Sequence, residues 1–528
     1  MRNRWGLVVL VAAVSFFSGG WLLQGASARP AVDGPQLFGD VLEYVSKYYV
    51  DSLKSDEIYE KASHGLVDEL GDPYSALMEA EDYKQITEQT TGNYGGLGMQ
   101  IDVRDGWITV VAPLPETPAE RAGIEAGDQI VEVNGTVTRG LNQDDAVKTL
   151  RGTPGTRVDL RVRRPGMTEL MPFALTRETI HYRSVQAGIL FEGGIGLVAL
   201  TPVIATSSDE LRKEIDALRA KGMKGLIFDL RGNPGGLLTE GVAVSDLFLD
   251  RGQAIVSTRG RVAQMNQSYA AESQQAWPDL PVVVLVNEWS ASAAEIIAGA
   301  LQDNDRALVL GTATFGKGLV QTLFPLGPDR ALKLTTARWF TPSGRTIQRE
   351  AKDQEAQVEQ ATAEASGRDS IKRVLPTFKT IGGRTVKGGG GIVPDQIVRG
   401  DSLTDGEKEF AKALGGNVTA YRDALVAAAL EVKEKKLVTS EGFVVTDAMR
   451  QMVLGRLAAK NVALDPKQLA GGTSLLTDQL AYEISRYVFG RQAEIRRRSS
   501  DDPQVRAALE LLRTSPTPKA LMAKTPGE

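Results

Sequence analysis

Ser292, in VVVLVNEWSASAAEIIAGAL, and Lys317, in LVLGTATFGKGLVQ, stand 25 positions apart and carry the side chains needed for covalent acyl transfer. A serine hydroxyl is a weak nucleophile until a base removes its proton. The usual base is scarce, because the chain has only His64 and His181, both far upstream. A lysine serves instead once burial disfavours its ammonium form, and Ser/Lys chemistry is a known variant of the serine triad. His64, on a helical stretch among Ala and Gly, and His181, in a junction, read as surface or packing residues.

The run 282–286 is apolar and β-branched, as a buried strand requires, and 292–302 is rich in Ala, Ile and Glu, as a helix requires. Ser292 therefore falls at a strand-to-helix turn. Free amides of the helix's first turn, Ala293 among them, are then available to an oxyanion. A blander account is that Ser292 and Glu295 form an S/TxxE capping box, which merely starts a helix. Lys317 has a competing account too, since 311–317 fits the GxxxxGK phosphate loop. Gly318, however, occupies the Ser/Thr position that such a loop needs for magnesium, and LVQTLFPLG reads as extended chain where the motif feeds a helix. Gly235 and Gly236, after the apolar run GLIFDL, permit a tight turn and a close backbone approach to substrate. Gln321 neighbours Lys317 only if the chain between them is helical; in a strand the pair stands about 13 Å apart. Arg231 reads as one half of a structural ion pair.

These segments together resemble the carboxyl-terminal processing protease family of serine peptidases. The family's serine lies in a segment like SASAxE and its lysine in FGKG with a Gln four residues on, which fall here on Ser292, Lys317 and Gln321. Its DLRxNxGG segment appears as DLRGNPGG at 229–236. The resemblance implies a Ser292/Lys317 dyad with Gln321 orienting the lysine, and oxyanion donors at the backbone N–H groups of Gly236 and Ala293. It also implies a mixed-sheet core related to the crotonase and Clp-type folds. Trp289 and Ala294 stand where the family commonly has small or hydroxyl residues, which bears on substrate preference.

Residues 91–178 resemble a PDZ domain, through GGLGM at 95–99 and TPAERAGIEAGDQIVEVNG at 117–135. Successive amides at Gly96, Leu97 and Gly98 are placed to cradle a terminal carboxylate. A strand beginning at Met99 pairs with the peptide backbone, and helix 144–150 bounds a side-chain pocket. Arg151, which closes that helix, could reach an acidic group of the protease core and couple the two, but it reads first as one half of an exposed salt bridge, which would contribute little.

At 528 residues the chain exceeds one compact core. Charges are balanced, 61 basic against 66 acidic, and no basic stripe interleaved with aromatics appears, so nucleic acid is not an expected partner. The absence of cysteine excludes thiol catalysis, disulfides and thiolate metal sites, and two histidines argue against a histidine metal cluster. No metal or organic cofactor is expected. Arg2 and Arg4 precede an apolar run at 5–23 and an AxA site at 26–28, the pattern of an export signal. The run is also long enough to stay as an inner-membrane anchor. Either outcome puts the catalytic part outside the cytoplasm, periplasmic or secreted.

The expected fold is a multidomain α/β protein. Residues 1–30 are a signal peptide or anchor, 31–90 a helical region, 91–178 the inserted PDZ domain, and 179–400 a core of alternating strands and helices with a polar insertion near 349–390. Residues 401–514 form an all-α domain suited to oligomerisation or an adaptor, with ArgArgArg at 496–498 as a solvated helix end, and 515–528 a disordered tail. The expected activity is that of an exported serine endopeptidase that holds a protein's C-terminal tail in its PDZ domain and cleaves nearby. The alternative is a catalytically silent PDZ scaffold.

Overall fold

The computed structural model describes residues 33–164, 167–185, 188–349, 375–462 and 464–525. The expected signal or anchor at 1–30 and most of the polar insertion lie outside the described residues. No helix among the described residues is long and apolar enough to cross a membrane.

The chain divides into two compact units, one made of residues up to Glu79 with Leu323–Thr335, the other of Ala80–Thr322 with Thr336–Glu528. In the first, helices Gly34–Tyr48 and Ser55–Asp68 precede strand Ala76–Met78, which pairs antiparallel with residues 331–333. The GDPYS turn leads into that strand, with Ser75 Oγ donating to Asp72 at 2.6 Å.

The second unit is built on a six-stranded sheet in the order Ile189–Phe191, Ile195–Ala199, Gly225–Asp229, Val282–Val286, Leu308–Gly311 and Gln396–Ile397. Only the first pair is antiparallel. Runs such as GLIFD and VVVLV have no polar alternation, which suits parallel strands covered on both faces. Helices Ser207–Ala220, Leu238–Asp246 and Ala293–Asp303 contribute to the core on one face, where Leu211, Val244 and Ile297 join Phe228 and Val284. The AIVSTRG segment lies in a different sheet, with Ala254–Gly260 antiparallel to Gln267–Ala270 and to residues 337–340.

The other face of the six-stranded sheet is covered from the far end of the chain. Helix Pro503–Thr514 sets Val505, Leu509 and Leu512 against Ile227, Val283 and Leu308. The tail expected to be disordered after Ser515 instead forms helix Pro518–Met522, whose Leu521 is 1% exposed in the same cluster. Thr517 caps this helix and Pro518 begins it, so a short, polar-looking segment is ordered by the apolar sheet beneath it.

Between these parts, strands Met99–Arg104, Trp107–Pro113, Gln129–Val133, Arg157–Arg163 and Met171–Thr176 form the PDZ sheet. Strand RVDLRVR shows the period of a sheet with one wet face, burying Val158, Leu160 and Val162 and exposing the residues between. Helices from Asp405–Leu414 to Pro466–Ile484 pack around Phe410, Leu425, Val453 and Leu480. This helical layer also holds the PDZ domain, since Arg104 donates to the Tyr487 hydroxyl at 2.7 Å and Arg491 to Gln100 at 3.0 Å. The arginine triplet is solvated, as expected, but lies inside helix Arg491–Asp501 and each side chain has a partner. Arg496 pairs with Glu441 at 2.7 Å, and Arg497 and Arg498 stack on Phe443 and Tyr482 at 4.3 and 4.2 Å.

Candidate active site

Ser292 stands between the buried strand Val282–Val286 and helix Ala293–Asp303, which is buried along its whole length. Its φ of 53° and ψ of −116° are unfavourable for a residue with a Cβ, a strain of about 1–3 kcal/mol that the surroundings must enforce. They do so with hydrogen bonds. Ser290 Oγ donates to Leu230 O at 2.8 Å, Ala291 N to Asn233 O at 2.9 Å, and Gly232 N to Asn287 Oδ1 at 3.0 Å.

Glu295 accepts from Ser292 N at 2.8 Å, as a capping carboxylate should. The same oxygen, Oε2, also accepts from Lys317 N at 2.9 Å. Its other oxygen takes Gly316 N at 2.7 Å and Thr314 Oγ1 at 2.5 Å. The serine turn and the lysine loop are thus fastened to one carboxylate, and the Ser292 and Lys317 nitrogens lie closer together than the sum of their two bonds. Burial pushes the fully enclosed Glu295 carboxyl up from its ordinary value, while these four donors pull the other way. Capping is therefore only half of what Glu295 does.

Lys317 is half-buried in the loop between strands Leu308–Gly311 and Leu319–Pro325. A strand follows it, so the phosphate-loop account fails on the element that it requires. The loop is fixed from several sides. Trp339 Nε1 donates to Lys317 O at 3.0 Å, Phe315 N to Ser290 O at 3.0 Å, and the Arg349 guanidinium to Thr314 O and Gly390 O at 3.0 and 2.7 Å. Gln321 lies on strand Leu319–Pro325, half-buried, so the helical i,i+4 route to Lys317 does not apply.

The 229–236 turn rests against the serine. Asn233, fully buried, donates to Leu200 O at 2.7 Å and accepts from Gly235 N at 2.8 Å. Gly235 has φ 91°, and a Cβ there would stand 2.7 Å from Ser292 Cβ and 2.8 Å from Ala293 N. At Gly236, φ 148°, a Cβ would stand 1.8 Å from Val203 O. The bridge to Val203 uses Gly235 O and Leu237 N, leaving the Gly236 N–H unspent. Among the described residues no acceptor takes the N–H of Gly236 or of Ala293. Two free amides thus flank the strained serine.

The PDZ groove has a volume of ≈ 390 Å³ and is lined by Gly96, Leu97, Gly98, Met99, Val147 and Arg151 among others. The carbonyls of Leu97 and Gly98 are taken by Ala119 N and Thr117 Oγ1, at 2.9 and 2.8 Å. Across the groove, Gln143 Nε2 donates to Ile101 O at 3.1 Å. Arg151 forms a partly exposed salt bridge, with Glu88 at 3.1 Å on helix Ala80–Thr91, and the alternative of a core acid as its partner does not hold. The guanidinium also stacks on Tyr94 at 4.3 Å, which holds it toward the stem that joins that helix to the PDZ domain.

Glu60, His64 and Glu79 of the first unit gather their ligand atoms within 4.8 Å of one another. Arg330 already supplies the cation there, pairing with Glu60 at 3.5 Å and Glu79 at 2.7 Å.

The sequence pointed to the serine, the lysine and the glycine turn. It did not show that Glu295 joins the first two, nor that Asn233 joins the glycine turn to the serine turn. The available signals were the Asn inside an otherwise Gly/Pro turn and the acid in the first turn of an apolar helix, but the second set of partners of each lies about twenty residues or more away.

Known proteins with similar sequences place the chain among peptidases. A family model described as peptidase family S41 matches residues 194–358, and one described as PDZ domain matches residues 109–164. The carboxy-terminal-processing protease of Bartonella bacilliformis is 40% identical over 315 residues, covering 59% of this chain and 72% of that protein. The carboxy-terminal processing protease CtpA of Bacillus subtilis is 35% identical over 341 residues, covering 64% and 72%. Among solved structures, the photosystem II D1 C-terminal processing protease is 30% identical, with 60% of this chain and 85% of that one covered, at a TM-score of 0.35.

Proposed function

Since the chain belongs to the carboxy-terminal processing proteases of peptidase family S41, and is a serine-type peptidase, we propose that Ser292 is its nucleophile, Lys317 its general base, and the PDZ groove its receptor for substrate tails. The observation that carries this reading is the Glu295 oxygen shared by the backbones of Ser292 and Lys317.

In the forward step the Ser292 hydroxyl passes its proton to the uncharged Lys317 amine as Oγ bonds to the peptide carbonyl carbon. The carbonyl oxygen becomes an oxyanion and accepts from the N–H groups of Gly236 and Ala293. Collapse breaks the C–N bond, and the leaving amine takes the proton back from the lysine. Water then attacks the acyl carbon with Lys317 again as base, and collapse breaks the C–Oγ bond as the lysine returns the proton to Ser292 and the acid product leaves. A positioned base contributes about 10²–10⁴-fold, and one oxyanion donor about 10²–10³-fold. The orienting role of Gln321 rests on its place in FGKGLVQ alone, since it lies on strand Leu319–Pro325 and not on a helix.

A substrate's terminal carboxylate is held by amides of the Gly96–Leu97–Gly98 turn and Met99, and its last residues add as a strand along Met99–Arg104. The amino-terminal arginines, apolar run and AxA site support an extracytoplasmic location, periplasmic or secreted, with 5–23 as signal or tether.

Cleavage of a peptide with an apolar, free C-terminus tests the reading. Wild type is expected to cleave it, Ser292→Ala to be inert, and amidation of the peptide's C-terminus to raise KM. Tail binding without cleavage by wild type would favour a silent scaffold.

A further inference from the structure

The turn that carries Gly236 is gripped from behind by the C-terminal helices, a region beyond the segments that the two family models match. Arg231, five residues before Gly236, chelates the end of its own strand: Nε donates to Asp229 Oδ1 at 2.9 Å and Nη2 to Asp229 Oδ2 at 2.7 Å. Its remaining terminal nitrogen, Nη1, donates to Asp502 Oδ2 at 2.5 Å and to Gln504 Oε1 at 2.8 Å. Burial works against the cation, but Asp229 and Asp502 outweigh it and stabilise the charged guanidinium.

Both acceptors are themselves fixed. Asp502 caps helix Pro503–Thr514, its Oδ1 accepting from Gln504 N and Val505 N at 2.8 and 3.2 Å, which leaves Oδ2 for Arg231. Gln504 is 3% exposed and donates to Val398 O at 2.7 Å. The helix behind them is bound to the sheet through Val505, Leu509 and Leu512. Beside Arg231 opens a crevice of ≈ 560 Å³ lined by Glu288 and Asp401 as well as Asp229.

From these contacts we propose that Asp502 and Gln504 are positioning residues for the oxyanion turn, acting through Arg231. The proposal rests on Gly236 as an oxyanion donor. The path is short: Arg231 fixes the strand end, the turn runs on through Asn233, and Asn233 holds both Gly235 N and Ala291 N, next to Ser292. A donor that drifts by a fraction of an ångström loses transition-state stabilisation before it loses substrate affinity.

The test uses the full chain carrying Asp502→Asn, which keeps the oxygen that caps the helix and removes the charge facing Arg231, and Gln504→Leu as a second variant. Three quantities are read: kcat and KM on a free-tailed peptide, thermal stability, and hydrogen exchange of amides 230–237. Asp502→Asn is expected to lower kcat about tenfold, leave KM within about twofold, and speed exchange in the turn while the helices keep their protection. Combining Asp502→Asn with Gln504→Leu should cost less than the sum of the two, because both contacts act through the one Arg231 Nη1. The proposal is overturned if kcat falls only in proportion to the folded fraction, or if exchange of 230–237 is unchanged in both variants. An inactive wild type would instead count against the peptidase mechanism, and the exchange measurement would still decide the positioning.

Discussion

Ser292 and Lys317 donate their backbone N–H groups to the same oxygen of Glu295, at 2.8 and 2.9 Å. Two segments from different strand ends are thereby tied at one buried point, with Thr314 and Gly316 on the carboxylate's second oxygen. A strained serine and a loop without regular structure gain a common reference, which is what a dyad needs to keep its geometry between turnovers.

Replacing that carboxylate should cost both stability and rate. Glu295→Gln leaves one oxygen and turns an NH₂ group toward two of the four donors, so buried N–H groups lose their acceptor. The expected destabilisation is about 2–4 kcal/mol, read by denaturant unfolding, with kcat down about 100-fold in the fraction that remains folded. Thr314→Val removes one donor and also leaves the buried Ile392 N–H, which donates to Thr314 Oγ1, without its acceptor, so it should cost about 2–3 kcal/mol.

Gly236→Ala should be far worse than a usual glycine change. The new methyl group would meet Val203 O, and the backbone conformation is one that side chains avoid. An activity loss of at least about 100-fold is expected, with KM changed little. Wild-type kcat in Gly236→Ala would remove this turn from the oxyanion site.

The groove makes a separate prediction. In the free protein Gln143 occupies Ile101 O, the carbonyl that an added strand would use. Gln143→Ala removes this competitor, so a tail peptide should bind about two- to threefold more tightly by calorimetry, as expected when one exposed hydrogen bond no longer has to be exchanged.

Acid sensitivity should pass through Glu210. Burial raises its carboxyl, but Thr206 Oγ, Val185 N–H and His181 together outweigh burial and hold it below the ordinary range. A depressed folded value means stabilisation that is present above the unfolded carboxylate value, about 4.3, and is lost as pH falls through the folded value. The gap in Tm between wild type and Glu210→Gln should therefore be widest near neutral pH and close as pH falls through the folded value. A gap that is constant with pH would contradict this.

Much of this arrangement was legible where the signal is local. The run VVVLV, the helix after Ser292 and the PDZ segments each announce themselves through periodicity or turn residues. Contacts between distant segments were not. Glu295 looked like a cap because its second set of donors lies 19 to 22 residues on. Arg151 showed a cation without showing which acid it would meet. The tail looked disordered because its few apolar residues, Leu521 and Met522, make sense only against Ile227 and Val283. One clue was present: strands apolar on both faces need two covers, and the core segment alone offered helices mainly for one.

The account depends above all on Lys317 as the base for Ser292, and the most direct measurement is kcat of Lys317→Ala on a peptide with a free apolar C-terminus, alongside its unfolding curve. A fall of at least about 10³-fold with a folded, tail-binding protein is the predicted result. Turnover within tenfold of wild type would contradict it.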